Sequence, residues 1–178
     1  MAEYKATIMD EAAVGRALKR ISHEIVEKNN GCDNLCLIGI KRRGESLAAE
    51  ICDNIYKFEG VRVERGSIDI TFYRDDLEKT TEDPVIHESQ IPFDVTGKRV
   101  VLIDDVLYTG RTARAAMEVI LQHGRAAEIQ LAVLVDRGHR ELPIRGDYVG
   151  KNVPTSKKEH IHVCMPPFDD KKAVELFG

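Results

Sequence analysis

Two adjacent carboxylates stand where an apolar run of the sequence ends. Residues 100–103 are continuously apolar, which is typical of a strand buried on both faces, and Asp104 and Asp105 follow them directly. The next turn contains Thr109, Gly110 and Thr112 and leads into a segment with helical spacing. Hydroxyl groups and the backbone N–H groups of a helix start favour an anion, whereas paired carboxylates favour hydroxyl groups or a metal ion. This polarity suits a ribose 5-phosphate, which carries its phosphate and its hydroxyls at opposite ends.

A second polar turn carries cations. Lys41, Arg42, Arg43 and Gly44 follow the apolar run 35–40, and a third polar turn occupies residues 136–141. Strands that alternate with helices form a parallel sheet with right-handed crossovers, and ligands bind at the carboxyl ends of its strands. We therefore expect all three polar turns to lie at the ligand-binding edge of one sheet.

The pattern of apolar residues predicts a single α/β domain over residues 1–178. Asp10 is predicted to cap the first helix, which stops at Gly31. Predicted strands cover residues 4–9, 35–40, 61–73, 99–103, 129–135, 148–153 and 160–165, and predicted helices cover residues 11–30, 45–58, 111–123 and 169–177. The third helix is predicted to bury Ala116, Met117, Ile120 and Leu121.

Composition excludes several classes of protein. No run of eighteen apolar residues exists, so no membrane-spanning helix is expected, and the N-terminus shows no apolar signal region. The four cysteines show no CxxC spacing and are expected to be reduced thiols in a cytoplasmic protein. The net charge of −4 argues against uniform affinity for nucleic acid, but residues 137–158 hold six cations against two acids, so a basic face remains.

The string at residues 100–112 resembles the phosphoribosyl-pyrophosphate motif of type I phosphoribosyltransferases: four apolar residues, two acids and a Thr-Gly-Arg-Thr turn. The chain has neither a Walker loop nor a Rossmann glycine fingerprint. The resemblance covers nearly the whole chain and implies a mainly parallel sheet flanked by helices, with a small hood and a mobile loop. Residues 134–145 and 147–150 are similar to the bifunctional pyrimidine operon regulators of the PyrR family, uracil phosphoribosyltransferases that also bind messenger RNA.

That resemblance implies roles for the polar residues around the expected ligand. Asp104 and Asp105 are the expected catalytic pair, which holds the ribose hydroxyls directly or through Mg²⁺ and water; whether Asp105 also acts as a base stays open. Lys41 and Arg42 are expected to bind pyrophosphate. The residues expected to bind phosphoribosyl pyrophosphate or UMP are Val106, Leu107, Tyr108, Thr109, Gly110, Arg111 and Thr112.

Three more residues take expected roles at the site. Tyr73 and Arg74 would reach inward from the mobile loop, and Arg137 would lie against the base. The implied reaction converts uracil and phosphoribosyl pyrophosphate to UMP and pyrophosphate. Closure of the mobile loop would exclude water from the reacting centre.

The resemblance also implies that pyr mRNA binds and that uridine nucleotides, UMP and UTP, promote transcription attenuation. The predicted first helix presents four of the expected RNA-binding residues on the face opposite its apolar stripe. The full expected set is Arg16, Lys19, Arg20, His23, Arg140, Arg145 and Lys151. A homodimer or a larger homo-oligomer is expected.

Two alternatives stay open at this point. The chain could be a pure RNA-binding regulator whose site only senses nucleotides, or a purine phosphoribosyltransferase. Turnover of uracil distinguishes an enzyme from the first alternative, and competition between bases distinguishes a uracil enzyme from the second.

Overall fold

Helices and strands alternate along most of the chain, as the sequence predicts. The structure is a computed structural model that describes residues 2–70 and 89–178. None of its described helices is both long enough and apolar enough to cross a membrane. In chain order the elements are β1 (Tyr4–Met9), α1 (Glu11–Lys28), β2 (Leu35–Ile40), α2 (Arg43–Glu59), β3 (Glu64–Ile68), β4 (Arg99–Leu107), α3 (Arg111–His123), β5 (Glu128–Asp136), β6 (Tyr148–Asn152), β7 (His160–Cys164) and β8 (Ala173–Phe177).

Five strands form a parallel sheet in the order β3–β2–β4–β5–β6. Successive side chains of a strand point to opposite faces, so each face of the sheet carries its own apolar core. α1 and α2 share one core with Leu37 of β2, and α3 shares the other with Leu102 of β4. The predicted sheet, mainly parallel and flanked by helices, is confirmed.

A separate antiparallel sheet of three strands, in the order β1–β8–β7, forms the hood. The sequence-based prediction of a helix over residues 169–177 is wrong, because β8 pairs with β1 on one side and with β7 on the other. A helix of nine residues is only marginally stable in water. A central strand instead pairs its backbone with two neighbours and buries Ala173 and Val174.

The helix caps and apolar stripes explain where α1 and α3 pack. Asp10 caps α1, since its Oδ1 accepts a hydrogen bond from the Ala13 N–H at 2.8 Å, as predicted. The apolar stripe predicted for α1, which consists of Val14, Leu18, Ile21 and Ile25, is buried along its length. In α3, however, Leu121 is exposed rather than buried, and Val119 takes its place against the sheet. Val119 lies three residues after Ala116 and so shares its helix face, whereas Leu121 lies on a face that points away from the sheet.

β4 continues four residues beyond its predicted end at residue 103. Its parallel ladder with β5 pairs Asp104 with Val133, Val106 with Val135 and Leu107 with Asp136. The two acids therefore lie inside a paired strand and not in the turn after it. Strand pairing fixes the direction of both carboxylates before any ligand binds.

α2 begins close to Ile103 of β4 and to β2, and two glycines permit this approach. A Cβ atom at Gly44 would collide with the carbonyl oxygen of Ile103, at a distance that real Cβ atoms essentially never show. A Cβ atom at Gly39 would lie 2.5 Å from the carbonyl oxygen of Gly44. Because both obstacles are backbone atoms, the start of α2 is packed rigidly against both β2 and β4.

We predict that Gly44→Ala destabilises the protein by about 1–3 kcal/mol, since one extra methyl group must displace backbone. Gly15→Ala is the matched control, because a Cβ there has nothing within 4 Å and lies inside α1. That control should gain about 0.4–1 kcal/mol, since alanine restricts the unfolded chain more than glycine does. Urea unfolding followed by circular dichroism measures both. Equal stabilities of the two variants would contradict the close approach of α2 and β4.

Candidate active site

A cavity of about 580 Å³ opens at the carboxyl ends of β2, β4 and β5. All of residues 104–112 line it, together with Lys41 and Arg42 from the loop after β2 and Arg43 from the start of α2. The segment after β5 contributes Arg137, and the hood contributes Ile161. The three polar turns that the sequence singled out therefore meet at one cavity, at the edge of the sheet where ligands were expected.

The acid pair lies at the floor of this cavity. Asp104 is buried, and its Oδ1 accepts a hydrogen bond from the Asp105 N–H at 2.9 Å. Oδ1 of Asp105 accepts a hydrogen bond from the Val106 N–H at the same distance. Each carboxylate is thus oriented by the backbone amide of the residue after it. Asp105 is the more exposed of the two.

The turn from β4 into α3 forms another wall of the cavity. Gly110 is the N-cap of α3 and has a positive φ of 94°, a conformation that glycine adopts without strain. Oγ1 of Thr109 accepts a hydrogen bond from the Arg111 N–H at 3.3 Å. The remaining N–H groups in the first turn of a helix have no intrahelical partner, so this wall attracts anions.

Residues 137–145 cover this turn from outside. The N–H groups of Glu141 and Leu142 donate to the carbonyl oxygen of Thr109 at 2.9 and 3.1 Å. Nε of Arg111 donates to Glu141 Oε2 at 2.8 Å, so this cavity-lining cation already has a carboxylate partner. Glu141 lines the cavity but was not among the predicted site residues, because nothing in its local pattern indicates a partner thirty residues earlier.

Arg140 lies on the same covering segment, and its side chain contacts other parts of the protein. Its guanidinium pairs with Asp136 and donates to the carbonyl oxygens of Tyr108 and Ile144 at 2.8 and 2.7 Å. These bonds join the end of β5, the turn before α3 and the covering segment. The side chain is therefore committed to holding the cavity wall.

Arg137 is the most buried cation at the cavity, with 6% of its surface exposed. Its guanidinium carbon lies 4.0 Å from the centre of the Tyr108 ring, a cation–π distance. Its nitrogens donate to Thr155 Oγ1 at 3.0 Å and to the carbonyl oxygens of Ser156 and Glu159 at 3.2 and 2.7 Å. Arg137 thus connects the turn before α3 to the loop between β6 and β7, and only part of it faces the cavity.

The cationic loop after β2 forms the third wall. The Lys41 N–H donates to the carbonyl oxygen of Ile68 at 2.9 Å, and the Lys41–Arg42 peptide bond is cis. Arg42 is exposed, whereas Lys41 and Arg43 are half-buried. Because Gly44 lies against Ile103, this loop is fixed next to the strand that carries the acid pair.

The cysteines take no part in this cavity. All four are free thiols, and none lines its walls. Burial raises the pKa of Cys36 and of Cys52 to about 11, so neither is a thiolate at neutral pH. Nucleophilic chemistry by a cysteine is not expected at this site.

The sequence matches the family model of the phosphoribosyl transferase domain over residues 6–167. A protein of Clostridium novyi named "Bifunctional protein PyrR" is 57% identical over 175 residues, which is 98% of each chain. A protein of the same name from Caldicellulosiruptor bescii is 59% identical, over 94% of this chain and 92% of that one. The chain belongs to the PyrR family of phosphoribosyl transferase domains.

Solved structures that resemble this PyrR family member share its fold. The hypoxanthine phosphoribosyltransferase of Staphylococcus aureus has a TM-score of 0.75 and 18% identity, with 99% of this chain and 94% of that one covered. The enzyme of Trypanosoma cruzi has the same TM-score and identity, with 97% and 96% covered. The predicted type I phosphoribosyltransferase fold is therefore confirmed.

The residues predicted to bind RNA fall into two groups in this PyrR family member. Arg16, Lys19, Arg20 and His23 are all exposed on α1, as predicted. Nη2 of Arg20 donates to the Gly150 carbonyl oxygen at 2.6 Å, so exposed Lys151 follows directly beside this group.

The second group consists of Arg140 and Arg145. Arg145 lines a cleft with Met117 of α3, and α3 covers the sheet face opposite α1. Arg140 holds the cavity wall. Two further residues with predicted roles, Tyr73 and Arg74, lie outside the described part of the chain.

We predict that Arg137→Ala lowers the free energy of unfolding by about 2–4 kcal/mol, because it removes a buried guanidinium that donates three hydrogen bonds. Amide hydrogen exchange should accelerate at residues 155–159. Arg145→Ala is the control, since this exposed arginine has no hydrogen bond or ion pair to the described residues and should cost less than about 0.5 kcal/mol. Similar losses in both variants would show that the contacts of Arg137 contribute little.

Proposed function

We propose that this chain transfers the phosphoribosyl group of phosphoribosyl pyrophosphate to uracil, giving UMP and pyrophosphate. It also regulates pyrimidine biosynthesis by binding pyr mRNA and promoting transcription attenuation in response to UMP and UTP. One observation carries the proposal: an acid pair, a Thr-Gly-Arg-Thr turn at a helix start and a cationic loop meet at one cavity. The identity of 57% to a bifunctional PyrR protein over 98% of the chain supports it.

The walls of the cavity suit the three parts of phosphoribosyl pyrophosphate. The 5-phosphate binds at the start of α3, where backbone N–H groups and the hydroxyls of Thr109 and Thr112 donate hydrogen bonds. The ribose hydroxyls bind to Asp104 and Asp105. The pyrophosphate binds at Lys41 and Arg42, whose charges offset its own.

The reaction breaks the bond between C1 of ribose and the pyrophosphate oxygen, and uracil N1 forms the new bond to C1. Positive charge builds on the ribose ring as the leaving group departs. Carboxylates fixed by backbone amides stabilise this charge without reorganisation, so catalysis is mainly positioning and electrostatics. Asp105 is the candidate for a base that takes the N1 proton, because its Oδ2 has no hydrogen-bond partner among the described residues.

The donor set at this site fits Mg²⁺. Two adjacent carboxylates at the floor of a polar cavity supply hard oxygen ligands, which Mg²⁺ prefers together with water and phosphate oxygens. Asp104 and Asp105 would hold the ion directly or through water. When bound, Mg²⁺ neutralises charge on the departing pyrophosphate.

The base lies between Arg137 and the hood in this proposal. Arg137 lines the cavity, and Ile161 of β7 is its hood residue. The hydrogen bonds of Arg137 to residues 155–159 hold its guanidinium plane in place, so the exposed part contacts the base in a fixed orientation. Tyr73 and Arg74, which lie outside the described residues, are proposed to help exclude water from the reacting carbon.

The first test is a panel of bases assayed with phosphoribosyl pyrophosphate. We expect uracil to give UMP when Mg²⁺ is present and no product after chelation, because the pyrophosphate charge is then not neutralised. Chromatography of the products measures both. Product from hypoxanthine or guanine but not from uracil would establish the purine alternative. Binding of UMP without turnover of any base would leave a nucleotide sensor.

RNA binding is proposed at a surface separate from the cavity, formed by α1. Arg16, Lys19 and Lys151 are exposed and make no ion pair with the described residues. Arg20, in contrast, pairs with Glu24 and holds β6. Exposed cations without a partner suit phosphate contacts, which dominate affinity for nucleic acid. The proposal further includes a cytoplasmic location and a homodimer or larger homo-oligomer.

We predict that Arg16→Ala with Lys19→Ala weakens binding of single-stranded loop RNA. The slope of log affinity against log salt should become shallower by about 0.7 for each RNA phosphate that the variant no longer neutralises. Arg125→Ala is the control, because this exposed arginine follows α3 on the other side of the sheet. Fluorescence anisotropy at two salt concentrations measures the slopes. Unchanged RNA affinity in the double variant would remove α1 from the RNA surface, and UMP synthesis should be unaffected throughout.

A further inference from the structure

Two ion pairs fasten the hood to α2. Arg43, the first residue of α2, pairs with Asp169 in the turn between β7 and β8. Three residues later in the chain, Lys172 pairs with Glu50 of α2 at 2.7 Å. Both pairs join the same two parts of the chain, but only Arg43 lines the cavity. The pair between Arg43 and Asp169 therefore connects the hood to the cationic loop.

Asp169 holds Arg43 from one side. Nε of Arg43 donates to Oδ2 and Nη2 donates to Oδ1, each at 3.2 Å. The Met165 N–H donates to Asp169 Oδ2 at 2.8 Å and fixes the carboxylate in its turn. Burial would raise the pKa of Asp169, but its hydrogen bonds from Arg43 and Met165 outweigh burial and hold the pKa below its usual value. The carboxylate is thus ionised at neutral pH.

This part of the hood also contains a group of three potential metal ligands: His162, Cys164 and Asp169, whose ligand atoms lie within 4.8 Å of one another. The contacts argue against a metal there. Both oxygens of Asp169 already accept hydrogen bonds from Arg43, and burial raises the pKa of the Cys164 thiol. A guanidinium beside the carboxylate would repel a cation, so the group is better described as the support of Arg43.

The contacts of Arg43 leave one edge of its guanidinium for a ligand. Nε and Nη2 are used by Asp169, whereas Nη1 has no partner among the described residues. An arginine pairs with phosphate oxygens through two adjacent N–H groups, and Nη1 together with the second hydrogen of Nη2 provides them. Arg43 directly follows Lys41 and Arg42, so this edge lies in the wall assigned to pyrophosphate.

We propose that Asp169 of the hood is a positioning residue for the reaction, which orients Arg43 as a third ligand of pyrophosphate. This inference rests on the proposed function. An arginine side chain loses considerable rotamer freedom when it binds a ligand, and a carboxylate that already holds it removes most of that loss from the binding step. The hood, which contacts the base, is thereby connected to the loop that binds the leaving group.

Calorimetry and steady-state kinetics with the full-length protein test the proposal. Arg43→Ala should raise KM for phosphoribosyl pyrophosphate and Kd for Mg²⁺-pyrophosphate by about 10- to 100-fold, as expected for one charge-assisted contact. Asp169→Ala should raise both by about 3- to 10-fold, the effect of freeing one long side chain. The Kd for UMP should stay within about twofold, because UMP has no pyrophosphate, and kcat should change less than KM.

The double variant separates positioning from simple support of the hood. If Asp169 acts through Arg43, then Asp169→Ala should add nothing to the defect of Arg43→Ala. Glu50→Gln is the matched control, because it breaks the other ion pair between the hood and α2 away from the cavity. It should leave KM and Kd unchanged, while thermal unfolding shows a loss of stability comparable to that of Asp169→Ala.

Three results would overturn the inference: normal pyrophosphate binding in Arg43→Ala, additive defects in the double variant, or a raised KM in Glu50→Gln equal to that in Asp169→Ala. Failure of the proposed function has a different signature. In that case the wild-type protein would form no UMP from uracil. Pyrophosphate binding in wild type and variants would still report whether Asp169 orients Arg43.

Discussion

The ladder between β4 and β5 continues past the apolar part of both strands, and the cavity depends on this extension. Backbone pairing of Asp104 and Leu107 with β5 keeps both carboxylates in a paired strand, beyond the predicted strand end at residue 103. Burying the Asp104 carboxylate in a paired strand costs free energy, which hydrogen bonds such as that from the Asp105 N–H offset. The extension is supported from one side, because β5 pairs with β4 as far as Leu107 and Asp136, whereas the ladder between β2 and β4 ends at Gly39 and Ile103.

Around that extension, the cavity is assembled from segments that hold one another. Arg140 and Glu141 connect the covering segment to the turn before α3, and Arg137 connects the turn to the loop after β6. Several cations that could bind a ligand therefore stabilise the walls of the cavity instead. Exposed Arg42 and half-buried Arg43 differ from them, because both line the cavity and still have side-chain N–H groups to donate.

Much of this arrangement could be predicted from the sequence, because its signals are local. Apolar runs indicated the strands of the parallel sheet, and the acid pair followed by a Thr-Gly turn indicated the ligand-binding edge. The contacts of Arg137 and Arg140 could not be predicted, since their partners lie in other turns and depend on how the chain returns over the sheet. The last strand was predicted as a helix for the same reason: nothing local reveals that β1 and β7 lie on both sides of it.

The contact between Gly44 and Ile103 has a consequence for how this family member can change its sequence. A side chain that clashes with another side chain can be accommodated by a smaller residue at the second position. Here the obstacle is a carbonyl oxygen, which every amino acid carries. No compensating substitution at position 103 can make room. An intragenic suppressor of a larger residue at position 44 would therefore have to shift a whole helix or strand. The cationic loop is thereby tied to the strand that carries the acid pair by an evolutionary constraint as firm as the physical one.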